Sequence, residues 1–134
     1  YIQADESPMK VLDQDHEKGI HKGFQWVYYS PVLKLVCFQY RKGRGKNGSR
    51  EMLASYRGIL QTDGWKVYNP YADHPDISLI GCMAHARRYF VKAQNNRKKE
   101  SEEALALFQL IYAEERKLKE NDRYPSDQLH LITG

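Results

Sequence analysis

The apolar segment GILQTD, residues 58–63, ends on a carboxylate, Asp63, and a glycine follows it directly. Asp-Gly pairs are frequent in turns, so Asp63 taken alone is best interpreted as a turn residue. A second carboxylate, Asp5, lies in the first segment of the chain. If the fold brings the two together, they repel each other unless a cation lies between them. Magnesium and manganese prefer oxygen ligands, so such a pair predicts a site for one of these ions.

The elements that must position this pair begin with three strands. Residues 1–12 alternate enough to predict a strand, which we expect to be interrupted near Pro8. The segments 22–31 and 32–43 are rich in aromatic and β-branched residues, and Ser30-Pro31 predicts a turn near their boundary. Together these segments predict a three-stranded antiparallel meander.

Helices alternate with strands in the rest of the chain. Ser49 as an N-cap and Gly58 as a stop predict a short helix between them. The later segments predict a strand at 59–63, a strand at 76–83, a helix at 84–94 and a longer helix at about 101–119. A strand entered directly from a helix usually joins its sheet by a parallel crossover. The order therefore predicts an α/β fold with a mixed sheet.

A ribonuclease-H-like arrangement of these elements places the fourth strand parallel to the first and beside it. Asp5 on the first strand and Asp63 at the end of the fourth would then face each other across one strand spacing, about 4.8 Å between backbones. A slip of one residue in the register would exchange Asp5 with its neighbour Glu6.

Composition and charge narrow the class of protein. The chain has 134 residues, which suits one domain, and a formal net charge of +4. Two basic clusters suit a polyanionic partner, although a run of charges is more often a solvated face. Two cysteines and the absence of a long apolar run predict a reducing, cytoplasmic location without a membrane span. The clusters comprise Arg41, Lys42, Arg44, Lys46 and Arg50, and Arg87, Arg88, Lys92, Arg97, Lys98 and Lys99.

Three segments together resemble the catalytic domain of the insertion-sequence family 66 transposases: ADESPMKVL, GILQTDGWKVYN and GCMAHARRYFVKA. The resemblance covers most of the first 94 residues. It implies a D-D-E transposase, in which a ribonuclease-H-like core uses metal ions to cut and join DNA. Asp5 then resembles the first catalytic aspartate and Asp63 the second. The match to A-D-E favours Asp5 on the inner face of its strand, with Glu6 turned away.

The catalytic glutamate of that family lies in a motif like D-N-N-x-x-E-N-A-I-R-P, and this sequence contains nothing of that form. We therefore expect a fragment with an incomplete active site, in which residues 1–99 are a partial catalytic core and residues 100–134 begin a helical insertion. The complete site would use two Mg²⁺ or Mn²⁺ ions, one to activate a water and one to stabilise the leaving oxygen.

Cys82 and His85 form a C-x-x-H pair. Many D-D-E transposases carry a similar pair shortly after the second aspartate. The resemblance implies that His85 lies near the active site or the bound DNA, and we predict a catalytic role for it. The alternative is that Cys82 is a small core residue and that His85 is a polar residue in the first turn of its helix.

These observations predict part of a DNA transposase that acts by metal-dependent phosphoryl transfer on transposon ends and target DNA. The resemblance also implies an oligomer on DNA and accessory proteins of the mobile element. The alternative is a catalytically inactive ribonuclease-H-like module for DNA binding or assembly, and metal bound between Asp5 and Asp63 would separate the two. The predicted DNA contacts are Arg41, Lys42, Arg44, Lys46, Arg87 and Arg88.

Overall fold

The computed structural model describes residues 1–43, 45 and 47–120, without the side chains of Asn47, Lys119 and Glu120. Strands and helices alternate along this part of the chain as the sequence predicts, although the first helix begins at Asn47, before the predicted N-cap Ser49. The strands are β1 (Ile2–Leu12), β2 (Ile20–Ser30), β3 (Leu35–Arg41), β4 (Gly58–Thr62) and β5 (Ile77–Gly81). The helices are α1 (Asn47–Leu53), a 3₁₀ helix (Lys66–Tyr71), α2 (Met83–Ala93) and α3 (Lys98–Glu120).

The five strands form one mixed sheet in the order β3-β2-β1-β4-β5. Strand β2 pairs antiparallel with both β1 and β3, as hairpin connections require. Strand β4 follows α1 and pairs parallel with β1. The predicted antiparallel meander and the parallel crossover into a mixed sheet are therefore confirmed, and β1 lies in the centre of the sheet.

Strand β1 continues through Pro8, where the sequence had predicted an interruption. Pro8 pairs with Phe24 of β2, and the antiparallel register runs on to Leu12 opposite Ile20. On its other side, β1 pairs with β4 only at Ile2 and Gln3. Among the described residues no strand pairs with this edge of β1 at Pro8, and proline is found at such edges because its nitrogen has no hydrogen to donate.

The hydrophobic core lies on one face of the sheet. Trp26 and Leu60 are fully buried and Tyr68 of the 3₁₀ helix is 1% exposed. These three belong to one cluster, to which α1 contributes Leu53 and the strands contribute Ala4, Tyr28 and Ile77. Because side chains alternate along a strand, Ala4 and Glu6 of β1 point to this core face and Asp5 points to the opposite face.

The chain divides into two compact units, one comprising Tyr1–Ile80 and the other beginning at Gly81. In the second unit α2 packs against α3, and the ring centroids of Phe90 and Phe108 lie 5.8 Å apart. Phe108 is buried, as is Ser101 in the first turn of α3. Neither of these helices, nor any other helix in the described residues, is both long and apolar enough to cross a membrane.

Candidate metal site and basic surfaces

The register between β1 and β4 brings the two predicted aspartates to the same place. Ile2 pairs with Leu60 and Gln3 pairs with Gln61, so the same register leads toward Asp5 opposite Asp63. Side-chain hydrogen bonds fix this register. The Gln3 amide Nε2 donates to Gln61 Oε1 at 2.9 Å and to the Tyr1 hydroxyl at 2.8 Å, and that hydroxyl donates to Gln61.

Asp5, Glu6 and Asp63 form a cluster of three carboxylates. One oxygen atom from each side chain lies within 4.8 Å of the other two. Asp5 is exposed, Asp63 is half-buried and Glu6 is buried, so the cluster extends from solvent into the core face of the sheet. A metal ion needs several acidic, histidine or cysteine side chains close together. Among the described residues, the side chains of this cluster meet that condition.

The position of Glu6 corrects the sequence prediction. We had expected Asp5 on the inner face of its strand and Glu6 turned away, but Asp5 is exposed, whereas Glu6 is 8% exposed and its carboxylate belongs to the cluster. The buried hydroxyl of Tyr68 donates to Glu6 Oε2 at 3.4 Å. Burial raises the pKa of Tyr68 strongly, and the neighbouring negative charge of Glu6 raises it further, so the phenol stays protonated as a donor.

Asp63 both stabilises a turn and belongs to the carboxylate cluster. Its Oδ1 accepts a hydrogen bond from the backbone N–H of Trp65 at 2.9 Å, which is the Asx-turn interaction expected of an aspartate before glycine. Gly64 adopts a φ of 83°, a conformation that favours glycine. This turn fixes the carboxylate of Asp63 at the end of β4, so the structural and the chemical interpretations of the residue are compatible.

The donor set of the cluster suits a hard divalent cation. All three ligands are carboxylates, and Mg²⁺ binds oxygen ligands at about 2.0–2.1 Å, so two ligands on opposite sides of one ion are about 4.2 Å apart. The ligand atoms of the cluster lie within 4.8 Å of one another, which is compatible with this spacing.

His85 and Cys82 lie at the start of α2, in the second unit. Cys82 occupies the N-cap position without a side-chain cap hydrogen bond, and both residues are half-buried. His85 therefore lies in the first turn of the helix, where the sequence placed it. Its catalytic role stays a prediction.

The basic segment after β3 is partly neutralised by acidic side chains. Arg41 forms an ion pair with Glu51 of α1, and the Lys42 amine lies 3.8 Å from Asp13 Oδ2. Arg44 and Lys46 lie outside the described residues. Arg41 and Lys42 thus have protein partners that a phosphate would have to replace or share.

Arg87 and Arg88 lie on a different kind of surface. Both line a cleft between α2 and α3, together with Arg116 of α3, and all three side chains are exposed. Arg116 is not among the DNA contacts that the sequence predicts. The signal that could have found it is the spacing of Gln109, Tyr112 and Arg116, which places three polar residues on one face of α3.

The fold and the site together define an α/β domain with a mixed sheet and a carboxylate cluster beside its central strand. Comparison with known families identifies the kind of domain, because residues 1–131 match the model of the IS66 family of transposases. The chain belongs to the IS66 transposase family.

Two curated relatives come from Sinorhizobium fredii strain NGR234. The uncharacterized protein y4qI is 36% identical over 103 residues, which is 65% of this chain and 19% of that protein. The uncharacterized protein y4jD is 34% identical over 67 residues, which is 46% of this chain and 13% of that protein. The matched part of the chain thus spans about a fifth of the length of y4qI and less of y4jD.

Proposed function

We propose that this chain carries part of the active site of a transposase that cuts and joins DNA strands by metal-dependent phosphoryl transfer. The observation that carries the proposal is the cluster of Asp5, Glu6 and Asp63, whose ligand atoms lie within 4.8 Å of one another. Membership of a transposase family supports the reaction class. A cluster of acidic residues alone is often only a solvated surface, so the two observations are needed together.

The order of the strands supports a ribonuclease-H-like core. Such a core needs the first strand between the second and the fourth, with the fourth parallel to it, and β1, β2 and β4 have these positions. An acid on β1 and an acid at the end of β4 then lie at the same edge of the sheet. Asp5 and Asp63 have these two positions, which is why we assign them as the first and second catalytic acids.

The three carboxylates have different roles in this proposal. Asp5 and Asp63 would hold Mg²⁺ or Mn²⁺ from the more accessible side of the cluster. Glu6 approaches from the core face, and the hydrogen bond from Tyr68 limits its movement. When bound, the metal supplies Lewis-acid polarisation of the phosphoryl oxygen and a lowered pKa for the attacking water.

The chain does not contain the motif in which the family resemblance places the third acid. Asp5 and Asp63 alone recruit a divalent ion weakly, and a site for two ions needs further oxygen ligands to orient both for in-line attack. We therefore propose that the 134-residue chain by itself does not cleave DNA and that the third acid lies outside it. Glu6 adds one ligand to the site but does not replace an acid from another element.

Strand cleavage by the natural protein that contains this sequence tests the proposal. The substrate is a plasmid carrying the ends of the element, with Mg²⁺ and Mn²⁺ compared in separate reactions. Asp63→Asn keeps the shape of the side chain and removes its charge, so cleavage should fall by orders of magnitude. The matched control is Asp73→Asn, which removes the same charge from an exposed residue outside the cluster.

Two results would contradict the proposal. One is an Asp63→Asn protein that cleaves as fast as the Asp73→Asn protein, because the carboxylate would then be only a turn residue. The other is robust nicking by the 134-residue chain alone, because the chain would then need no third acid from elsewhere. Thermal unfolding of both variants checks that the comparison is between folded proteins.

A further inference from the structure

The second unit contains a cleft of about 530 Å³ between α2 and α3. The residues that line the cleft on α2 follow helical spacing, and so do those on α3, so each helix presents one face to it. The lining residues are Ala84, Arg87, Arg88 and Val91 of α2, and Gln109, Tyr112 and Arg116 of α3.

The charges in this cleft are all of one sign. Three guanidinium groups line it and none of its lining residues carries a carboxylate. Within the described residues, no salt bridge joins Arg87, Arg88 or Arg116 to an acidic side chain, whereas Glu114 nearby pairs with Lys117 at 2.6 Å. Three guanidinium groups in one cleft without acidic partners repel one another, and an anion between them relieves that repulsion.

The wall of the cleft is held in place by aromatic packing. Tyr112 is half-buried, and its ring centroid lies 6.4 Å from that of Phe108, which in turn packs against Phe90 of α2. Phe108 is 8% exposed and connects the two helices. The two faces that carry the arginines are therefore fixed relative to each other before any ligand binds, which lowers the entropic cost of binding.

The donors in the cleft match a phosphodiester. Arginine binds phosphate oxygens through two parallel N–H groups, and the side chains of tyrosine and glutamine are common donors to the DNA backbone. The cleft has no acidic group that would receive the exocyclic amine of a base. Its apolar lining residues, Ala84 and Val91, offer no side-chain hydrogen-bonding group that could read a base.

We propose that the cleft between α2 and α3 binds the phosphate backbone of duplex DNA through Arg87, Arg88 and Arg116. The choice of DNA as the source of the phosphate rests on the proposed function. The binding itself does not require the carboxylate cluster, because all of its donors belong to the second unit.

The test is the salt dependence of duplex binding by the 134-residue chain, measured by fluorescence anisotropy in buffer without divalent ions. The variant is Arg88→Gln/Arg116→Gln. The matched control is Lys92→Gln/Arg97→Gln, which removes the same charge from exposed residues of the second unit that do not line the cleft. Each lost phosphate contact lowers the slope of log Kobs against log salt concentration by about 0.9. The cleft variant should therefore lose about 2 units of slope and the control much less.

Equal losses of slope in the cleft variant and the control would overturn the proposal, because binding would then follow bulk charge alone. An unchanged slope in the cleft variant would overturn it as well. Inorganic phosphate at millimolar concentration is the competing probe. If it binds wild type in this range but leaves the affinity for the duplex unchanged at constant ionic strength, the cleft is a site for free phosphate, and the assignment to DNA is wrong.

Failure of the proposed catalytic function and failure of the proposed DNA site in the cleft give different results in this assay. Asp63→Asn should keep the wild-type slope in this assay even if its cleavage activity turns out to be unchanged, because Asp63 is not among the donors of the cleft. Thermal unfolding of the two double variants shows whether either has lost the packing of α2 on α3.

Discussion

The hydroxyl of Tyr68 lies 3.4 Å from Oε2 of Glu6, and both side chains are buried between the central strand and the 3₁₀ helix. A buried carboxylate is costly unless it is hydrogen-bonded. The contact therefore explains how an acid beside Asp5 is tolerated on the core face. It also connects the candidate metal site to the hydrophobic core.

Tyr68→Phe removes this donor without changing the shape of the ring. We expect the free energy of unfolding to fall by about 1–3 kcal/mol, because the Glu6 carboxylate loses a hydrogen bond in a buried place. Urea denaturation followed by circular dichroism measures the change. Tyr71→Phe is the matched control, since Tyr71 is also buried but its hydroxyl has no hydrogen-bond partner among the described residues. Its removal should be neutral or stabilising, and an equal loss in both variants would contradict the assignment.

The stability of the fold should fall at alkaline pH. Burial raises the pKa of Tyr68 and of Tyr28 above the ordinary value of 10.0. The second cause is the negative charge of Glu6 for Tyr68 and the neighbouring Tyr71 for Tyr28, and both raise the pKa further. In the unfolded chain both phenols ionise near pH 10, while the native fold keeps them protonated. Their contribution is therefore complete below pH 10 and is lost as the pH rises above it.

Each of these phenols can contribute a slope of about 1.4 kcal/mol per pH unit above pH 10. Denaturant unfolding between pH 8 and pH 11 measures the slope, and Tyr68→Phe should make it shallower. Tyr89→Phe provides the control, because Tyr89 is 69% exposed and lies outside the core. If the free energy of unfolding stayed constant up to pH 11, the buried phenols would ionise in the native fold as readily as in the unfolded chain.

Gly48→Ala should destabilise the protein although alanine is the better helix former. Gly48 lies in α1, and a Cβ atom there would meet Trp26 Cε2 at 2.9 Å. Trp26 is fully buried in the centre of the core and cannot move without disturbing it. Overpacking of this kind typically costs about 1–3 kcal/mol, which exceeds the helix-propensity gain of at most about 1 kcal/mol.

Thermal unfolding compares this variant with Gly81→Ala, whose added Cβ meets nothing within 4 Å. The control should change the midpoint little. If Gly48→Ala raised the midpoint instead, the close packing of α1 on Trp26 would be wrong.

The sheet could be predicted from the sequence because its signals are local. Aromatic and β-branched runs define β2 and β3, and the helix before β4 indicates a parallel crossover. The strand order predicted from these signals also places Asp5 beside Asp63. The interruption at Pro8 was predicted wrongly, because the short pairing of β4 with β1, which leaves Pro8 at an edge, is a property of the whole sheet.

Glu6 and Arg116 could not be assigned from local patterns. Whether Glu6 is solvated or buried depends on Tyr68, which is 62 residues away in sequence. Arg116 becomes part of a cleft only because α3 packs against the face of α2 that carries Arg87 and Arg88. Both positions depend on tertiary contacts, whereas the turn at Asp63 depends only on the two residues that follow it.

The central claim is that Asp5 and Asp63 bind a divalent cation, and Mn²⁺ binding by the ¹⁵N-labelled chain tests it most directly. Paramagnetic Mn²⁺ broadens the amide resonances of nuclei close to it, so the position of the ion is read from the spectrum. We expect the amides of Asp5, Glu6 and Gly64 to broaden first in wild type and in the Asp73→Asn control, and Asp63→Asn to abolish the effect. Equal broadening of these amides in the Asp63→Asn variant, or broadening that begins elsewhere in the chain, would contradict the account.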